Sequence, residues 1–264
     1  MKNWRLFEDS CVEYLNRTYG NYTTKFVGTG KSNSTNSDIR VIKDDETLFN
    51  IEAKMANSQS GQFVLIDDGN KFIFSDRNKS QANKFTKIIL HYINTYYNTF
   101  KSVSSKSIPI DLDTSIFAEW IKDYYKSKDV SFIITSHSDE DFIVFPIEKL
   151  EIYFDILANF RIKTSGSSDV PYKYHSEVKE LFEQNFSECS IVSEEKKSYL
   201  TTNYHLPNKT KLIGKKYRFQ FNKDGNRYLI RKLSNTRNAN VIFSISLKLN
   251  QNSDDILLFK KEIE

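Results

Sequence analysis

Three residues of this chain have the types and spacing to do chemistry together: Asp38, Glu52 and Lys54. Two carboxylates offer hard oxygen ligands to a divalent cation, and a nearby ammonium can orient a water or offset charge on a phosphoryl group. From Leu48 to Met55 the residues Phe49, Ile51, Ala53 and Met55 alternate with Asn50, Glu52 and Lys54. That is the period of a strand, so Glu52 and Lys54 share one face. Ile39 and Val41 alternate in the same way with Asp38 and Arg40. Folding the two segments around a charged turn centred on Asp45 sets Ile39 opposite Ile51, Val41 opposite Phe49, and Asp38 opposite Glu52. A slip of one residue would mix the two faces, so the pattern selects this register. Directly paired carboxylates stand about 5 Å apart. At that distance they repel by roughly 3 kcal/mol at an effective dielectric near 20. A cation such as Mg²⁺ relieves the conflict. On spacing alone, a merely solvated strand face explains the three charges equally well.

The elements that must position these residues follow from periodicity. Trp4, Phe7, Cys11 and Leu15 recur at helical spacing, which predicts an opening helix that ends near Gly20. After the hairpin, helical period returns over 83–100 and over 115–125, strands are predicted at 130–135 and 142–146, and a further helix over 148–157. This order predicts a mixed α+β fold in which an α/β layer is built on a mixed central sheet. The texture changes after Asn159, and the expected division is 1–156 and 157–264. Within the second part, 172–226 reads as a separate small subdomain rich in lysine and glutamate.

Composition narrows the class. Of 264 residues, 39% are hydrophobic and 27% charged, as in a globular protein. No apolar run approaches the ~18 residues of a membrane span. Two cysteines and four scattered histidines argue against a disulfide framework or a structural zinc site. This thiol usage predicts a reducing cytoplasm. A net charge of +4 permits a polyanionic partner without requiring one. Gly28-Thr29-Gly30-Lys31-Ser32 imitates the end of a phosphate-binding loop, but Lys25 stands where that loop needs glycine and 33–37 is a turn-forming run. No role is assigned to His137 or His175.

An aspartate followed at a hairpin's distance by Glu-x-Lys resembles the PD-(D/E)xK nuclease superfamily. Longer strings are similar to its HhaI-type restriction endonucleases. They include Cys11 to Asn16, Thr35 to Ile39, Ile51 to Met55, Gly61 to Ile66, Trp120 to Lys122, Phe145 to Glu148, Leu233 to Thr236 and Asn238 to Lys248. The resemblance implies a PD-(D/E)xK core with a C-terminal DNA-recognition region. It also implies Asp38, Glu52 and the Ala53 carbonyl as ligands of Mg²⁺, and Lys54 as the catalytic lysine. Two departures stand out: Ser37 replaces the proline usual before the first acid, and the turn is slightly longer. Glu8, on the edge of the first helix, is a candidate accessory acid.

The implied activity is that of a type II site-specific deoxyribonuclease cutting duplex DNA at a short palindrome, GCGC. It implies action as a monomer, with a DNA methyltransferase as functional partner. Arg237 differs within a matching string, which bears on base choice. Candidate DNA contacts are Ser34 in the polar loop, Gln59 and Gln62 after the second strand, and the alternating set Arg161, Lys163, Ser165 and Ser167. A further cluster comprises Arg231, Lys232, Asn235, Arg237, Asn238 and Asn240. Arginine can read guanine bidentately, while lysine and small hydroxyl side chains more often grip phosphate. The rivals to this reading are a structure-selective repair or recombination nuclease and a non-catalytic DNA-binding module.

Overall fold

The computed structural model describes residues 4–29, 37–103, 107–138, 141–164, 166–233 and 237–264, without the side chains of 163, 164 and 237. By its internal contacts the chain forms two units, Met1–Ile162 with Ala239–Glu264, and Lys163–Asn238.

The first unit opens with helix α1 (Trp4–Tyr19) and strands β1 (Thr24–Gly28), β2 (Ile39–Lys43), β3 (Glu46–Ala53), β4 (Asn57–Asp67) and β5 (Phe72–Phe74). Helices α2 (Lys84–Thr95) and α3 (Tyr97–Lys101), strand β6 (Ile108–Pro109), helix α4 (Thr114–Lys126), strands β7 (Val130–Ser136) and β8 (Phe142–Pro146), helix α5 (Leu150–Tyr153) and strand β9 (Phe154–Thr164) follow. The second unit contributes β10 (Ser167–Asp169), α6 (His175–Asn185), β11 (Ser190–Glu194), β12 (Lys197–Thr201), β13 (Thr210–Ile213), β14 (Arg218–Asp224) and β15 (Arg227–Leu233). Strand β16 (Arg237–Leu247) then leads back to the first unit, which closes with α7 (Ser253–Ile263).

A five-stranded sheet ordered β1-β2-β3-β7-β8 forms the frame of the candidate site. Its β3–β7 pairing is parallel and its other pairings are antiparallel, so the sheet is mixed as expected. The hairpin pairs Ile39 with Ile51 and Val41 with Phe49, the register that the alternation selects. The turn itself is Asp44–Asp45, both at positive φ (49° and 67°), which suits the right-handed twist of a two-residue hairpin. A register shift between Val41 and Ile42 absorbs the odd residue. One face of this sheet buries Ile39, Val41, Phe49, Ile51, Phe132 and Ile134 against Cys11 and Leu15 of α1 and Phe259 and Ile263 of α7. The other face contributes Ile133, Ile143 and Phe145 to a core shared with Phe117, Ile121 and Tyr125 of α4.

A second sheet, β5-β4-β16-β9-β6, was not foreseen. It adds Phe63, Leu65, Val241, Phe243 and Phe160 to the same shared core. The predicted 148–157 helix stops at Tyr153, because Phe154, Ile156, Ala158 and Phe160 are buried at every second position, which is strand period. The single helix expected over 83–100 is two, α2 and α3, divided at Tyr96. The expected boundary at 156/157 also differs from the observed units. Residues 239–264 return to the first unit, since β16 pairs with β4 and Phe259 of α7 lies in the α1-side core.

The second unit holds its own sheet, β11-β12-β15-β14-β13 with β10 on β15. Its core is Val178 and Phe182 of α6 packed with Leu200, Phe219, Phe221 and Ile230.

Candidate active site

Asp38, Glu52 and Lys54 meet at the end of the β2–β3 hairpin. Thr29, just past β1, fixes the first of them: its N–H donates to the Asp38 carbonyl at 2.9 Å and its hydroxyl to the Ser37 carbonyl at 2.6 Å. Asp38 Oδ2 accepts the Ala53 N–H at 3.1 Å, a contact that ties the acid across to β3. Lys54 Nζ donates to Glu52 Oε1 at 2.7 Å and stands 3.8 Å from Asp38 Oδ2. The second Glu52 oxygen, Oε2, is buried without a hydrogen-bond partner among the described residues.

Parallel pairing decides what surrounds these groups. Glu52 lies beside Ile133 and Ala53 beside Ile134 of β7, and the Lys54 N–H donates to the Ile134 carbonyl at 2.9 Å. Glu52 and Lys54 therefore face α4 rather than α1. From α4 the buried Tyr125 ring lies 5.5 Å from Lys54 Nζ, within cation–π range, and its hydroxyl is 3.1 Å from Ser60 Oγ. Sequence reasoning missed Tyr125 and Ser60. An aromatic at helical spacing reads as ordinary core, and Ser60 turns inward only because β4 bulges there.

No family model matches the chain, and no curated protein matches it. A solved structure of HhaI endonuclease in complex with DNA does: TM-score 0.78 at 40% identity, covering 99% of this chain and 99% of that one. The chain belongs to the HhaI-type restriction endonuclease family.

In this HhaI-type endonuclease the carboxylates strain against each other. Burial and the neighbouring Glu52 charge push the Asp38 carboxyl up to about 7, although Lys54 and the Ala53 N–H oppose the rise. Burial alone would lower the Lys54 ammonium, but Glu52, Tyr125 and Asp38 outweigh it and hold Lys54 well above its usual range. Glu8 is half-buried on α1. Burial raises its carboxyl, and the fields of Lys54 and Glu52 reach it.

The donor set fits a hard divalent cation. Among the described residues no cluster of three or more His, Cys, Asp or Glu side chains could hold a metal. Asp38, Glu52 and the Ala53 carbonyl would form a sparse oxygen set of the kind Mg²⁺ accepts. Glu52 Oε2, buried and unsatisfied, is a free acceptor in that position.

The remaining candidates divide among several places. Ser60 and Gly61 together face Phe243, so Gln59 and Gln62 both project from the outer face of the second sheet and are exposed. Arg161 and Asn240 alternate with the core residues Phe160 and Val241 and lie on that face too. Asn240 is only 4% exposed, and Arg161 Nε is buried without a hydrogen-bond partner among the described residues. In the second unit Arg231 is held by β10, donating to Asp169 Oδ1 at 2.5 Å and to the Ser167 carbonyl at 2.8 Å. Lys232 Nζ lies 4.5 Å from the Tyr217 ring. Asn238 is half-buried at the start of β16. Ser34, Ser165 and Asn235 lie outside the described residues, as do the side chains of Lys163 and Arg237.

Proposed function

We propose that the chain is a type II restriction endonuclease that uses Mg²⁺ to hydrolyse phosphodiester bonds in duplex DNA at a short palindrome, GCGC. The observation that carries the reading is the junction of Asp38, Glu52 and Lys54 within ion-pair distance in a chain 40% identical to HhaI endonuclease, with one Glu52 oxygen unsatisfied. Asp38, Glu52 and the Ala53 carbonyl would hold the cation. When bound, Mg²⁺ supplies positive charge to a phosphoryl oxygen and acidifies a water. Lys54, kept protonated by the acids around it, orients that water and offsets the charge that develops on the phosphate. Asp38 has to be ionised to serve, so its proton leaves as the cation arrives.

Gln59 and Gln62 are exposed on one sheet face, which suits a reading surface, whereas Lys232 and its neighbours suit backbone contact. This residue-level assignment is part of the proposal, as are a cytoplasmic setting and a DNA methyltransferase that protects host sites without stable contact. As the resemblance implies, the enzyme acts as a monomer and cuts the strands in succession.

A mapped supercoiled plasmid digested with Mg²⁺, followed by sequencing of the ends, tests the reading. Every end should fall at one recurring sequence, and nicked circles should accumulate before linear product. Lys54→Ala should lower the rate by about 100- to 1,000-fold. Ends without a common sequence, or parental activity in Lys54→Ala, would overturn the assignment.

A further inference from the structure

The strand face that carries Glu52 and Lys54 holds a second buried oxygen with no hydrogen-bond partner among the described residues, Thr135 Oγ1. Thr135 is fully buried. A buried hydroxyl left unpaired is uncommon because nothing compensates the loss of its water. Its place is informative. Ala53 pairs with Ile134 in the parallel ladder, and the Lys54 N–H bonds the Ile134 carbonyl, so Lys54 and Thr135 are lateral neighbours. Ile51, Ala53, Phe132 and Ile134 all point to the α1 side. Strand alternation then puts Lys54 and Thr135 together on the α4 side.

Lys54 is at present committed to Glu52 Oε1 at 2.7 Å. A cation on the free Oε2 of Glu52 would draw charge from the same carboxylate and repel the ammonium, so Lys54 would shift toward another acceptor. Asp38 offers none, because it is engaged by the same cation. The Tyr125 ring, anchored through its hydroxyl to Ser60, limits how far the ammonium can move. Thr135 Oγ1, on the laterally neighbouring strand position, is an acceptor with no hydrogen-bond partner among the described residues. We propose that Thr135 is a positioning residue for Lys54: its hydroxyl accepts the hydrogen bond that the ammonium gives up at Glu52, while Tyr125 confines the exchange. The inference rests on the metal-dependent nuclease reading and assigns this chain's own groups to its two states.

Thr135→Val, which replaces only the hydroxyl by a methyl group, tests it. The expected result is a kcat about 10- to 100-fold lower with KM for plasmid unchanged, since the lysine is misplaced and DNA binding is not. Mg²⁺ alone, titrated by calorimetry into the enzyme without DNA, should bind several-fold more weakly because Lys54 stays on Glu52. Thr135→Ser should restore both. Tyr125→Phe should keep most of kcat, and Tyr125→Leu should not. If Thr135→Val gains thermal stability while kcat and Mg²⁺ affinity stay parental, the hydroxyl is only a packing defect and the inference fails. A loss confined to KM overturns it as well. A parent without Mg²⁺-dependent cleavage would remove the nuclease reading itself, whereas parental behaviour of Thr135→Val in an active enzyme removes this inference alone.

Discussion

At the residue scale, Asp38 joins stability to cation binding. Its carboxyl titrates near 7 in the folded chain against an ordinary 3.8, chiefly through burial and then through Glu52. Between those values the folded state holds a proton that the unfolded state has lost, so the stability of the metal-free enzyme falls as pH rises through the window. The melting temperature without metal should therefore be higher at about pH 5.5 than at about pH 8, and Asp38→Asn should flatten most of the difference. Mg²⁺ should act in the opposite sense, stabilising more as pH rises, because only the ionised acid can hold it. Thermal melts with and without chelator measure this; an undiminished pH slope in Asp38→Asn would place the effect elsewhere. The three charged residues were legible in the sequence because strand alternation alone puts them on one face. Thr135 and Tyr125 were not, since their relation to Lys54 depends on β7 and α4, which are remote in sequence.

At the element scale, the bulge in β4 is the feature on which the α4 side of the site depends. Gly61 has φ +125°, and a Cβ there would meet Trp120 Cζ3 at 2.7 Å. Trp120 cannot yield easily, because it is buried and stacked on Phe243 with ring centroids 4.2 Å apart. Gly61→Ala should cost at least about 2 kcal/mol from backbone strain and overpacking. It should also lower kcat, since Trp120 and Tyr125 share α4 and displacing that helix moves the Tyr125 ring away from Lys54. Urea unfolding with parallel cleavage assays would show both, and an unchanged midpoint would mean that the loop relaxes freely. The hairpin β2–β3 was readable from alternation, down to its register. The turn, expected to centre on Asp45, is the two-residue Asp44–Asp45, because the shift at Val41–Ile42 moves the pairing to Lys43 and Glu46. Strand β9 was misread as the end of a helix, since a short apolar run fits either period until its ladder partners are known.

At the scale of the whole molecule, the two units have separate cores: one around α6 in the second, and two in the first, one shared by its two sheets and one packed against α1 and α7. Phe219 is fully buried in the α6 core. Phe219→Ala should cost about 3–5 kcal/mol locally. Hydrogen exchange should then quicken in β12, β14 and β15 while β2, β3 and β7 stay protected, and Mg²⁺ affinity should remain parental. Uniform loss of protection would show that the chain unfolds as one body. The lysine- and glutamate-rich stretch expected at 172–226 falls inside the unit observed at 163–238.

Local periodicity determined what it physically controls: which side chains of a strand share a face, which register two adjacent strands adopt, and hence that two acids and a lysine converge. Similar strings across the chain carried the family. Pairings between distant segments were left to tertiary structure, because their free energy resides in contacts that no short window contains. Those pairings placed β7 beside β3, laid α4 over Lys54, and carried the C-terminal strand and helix back across the first unit.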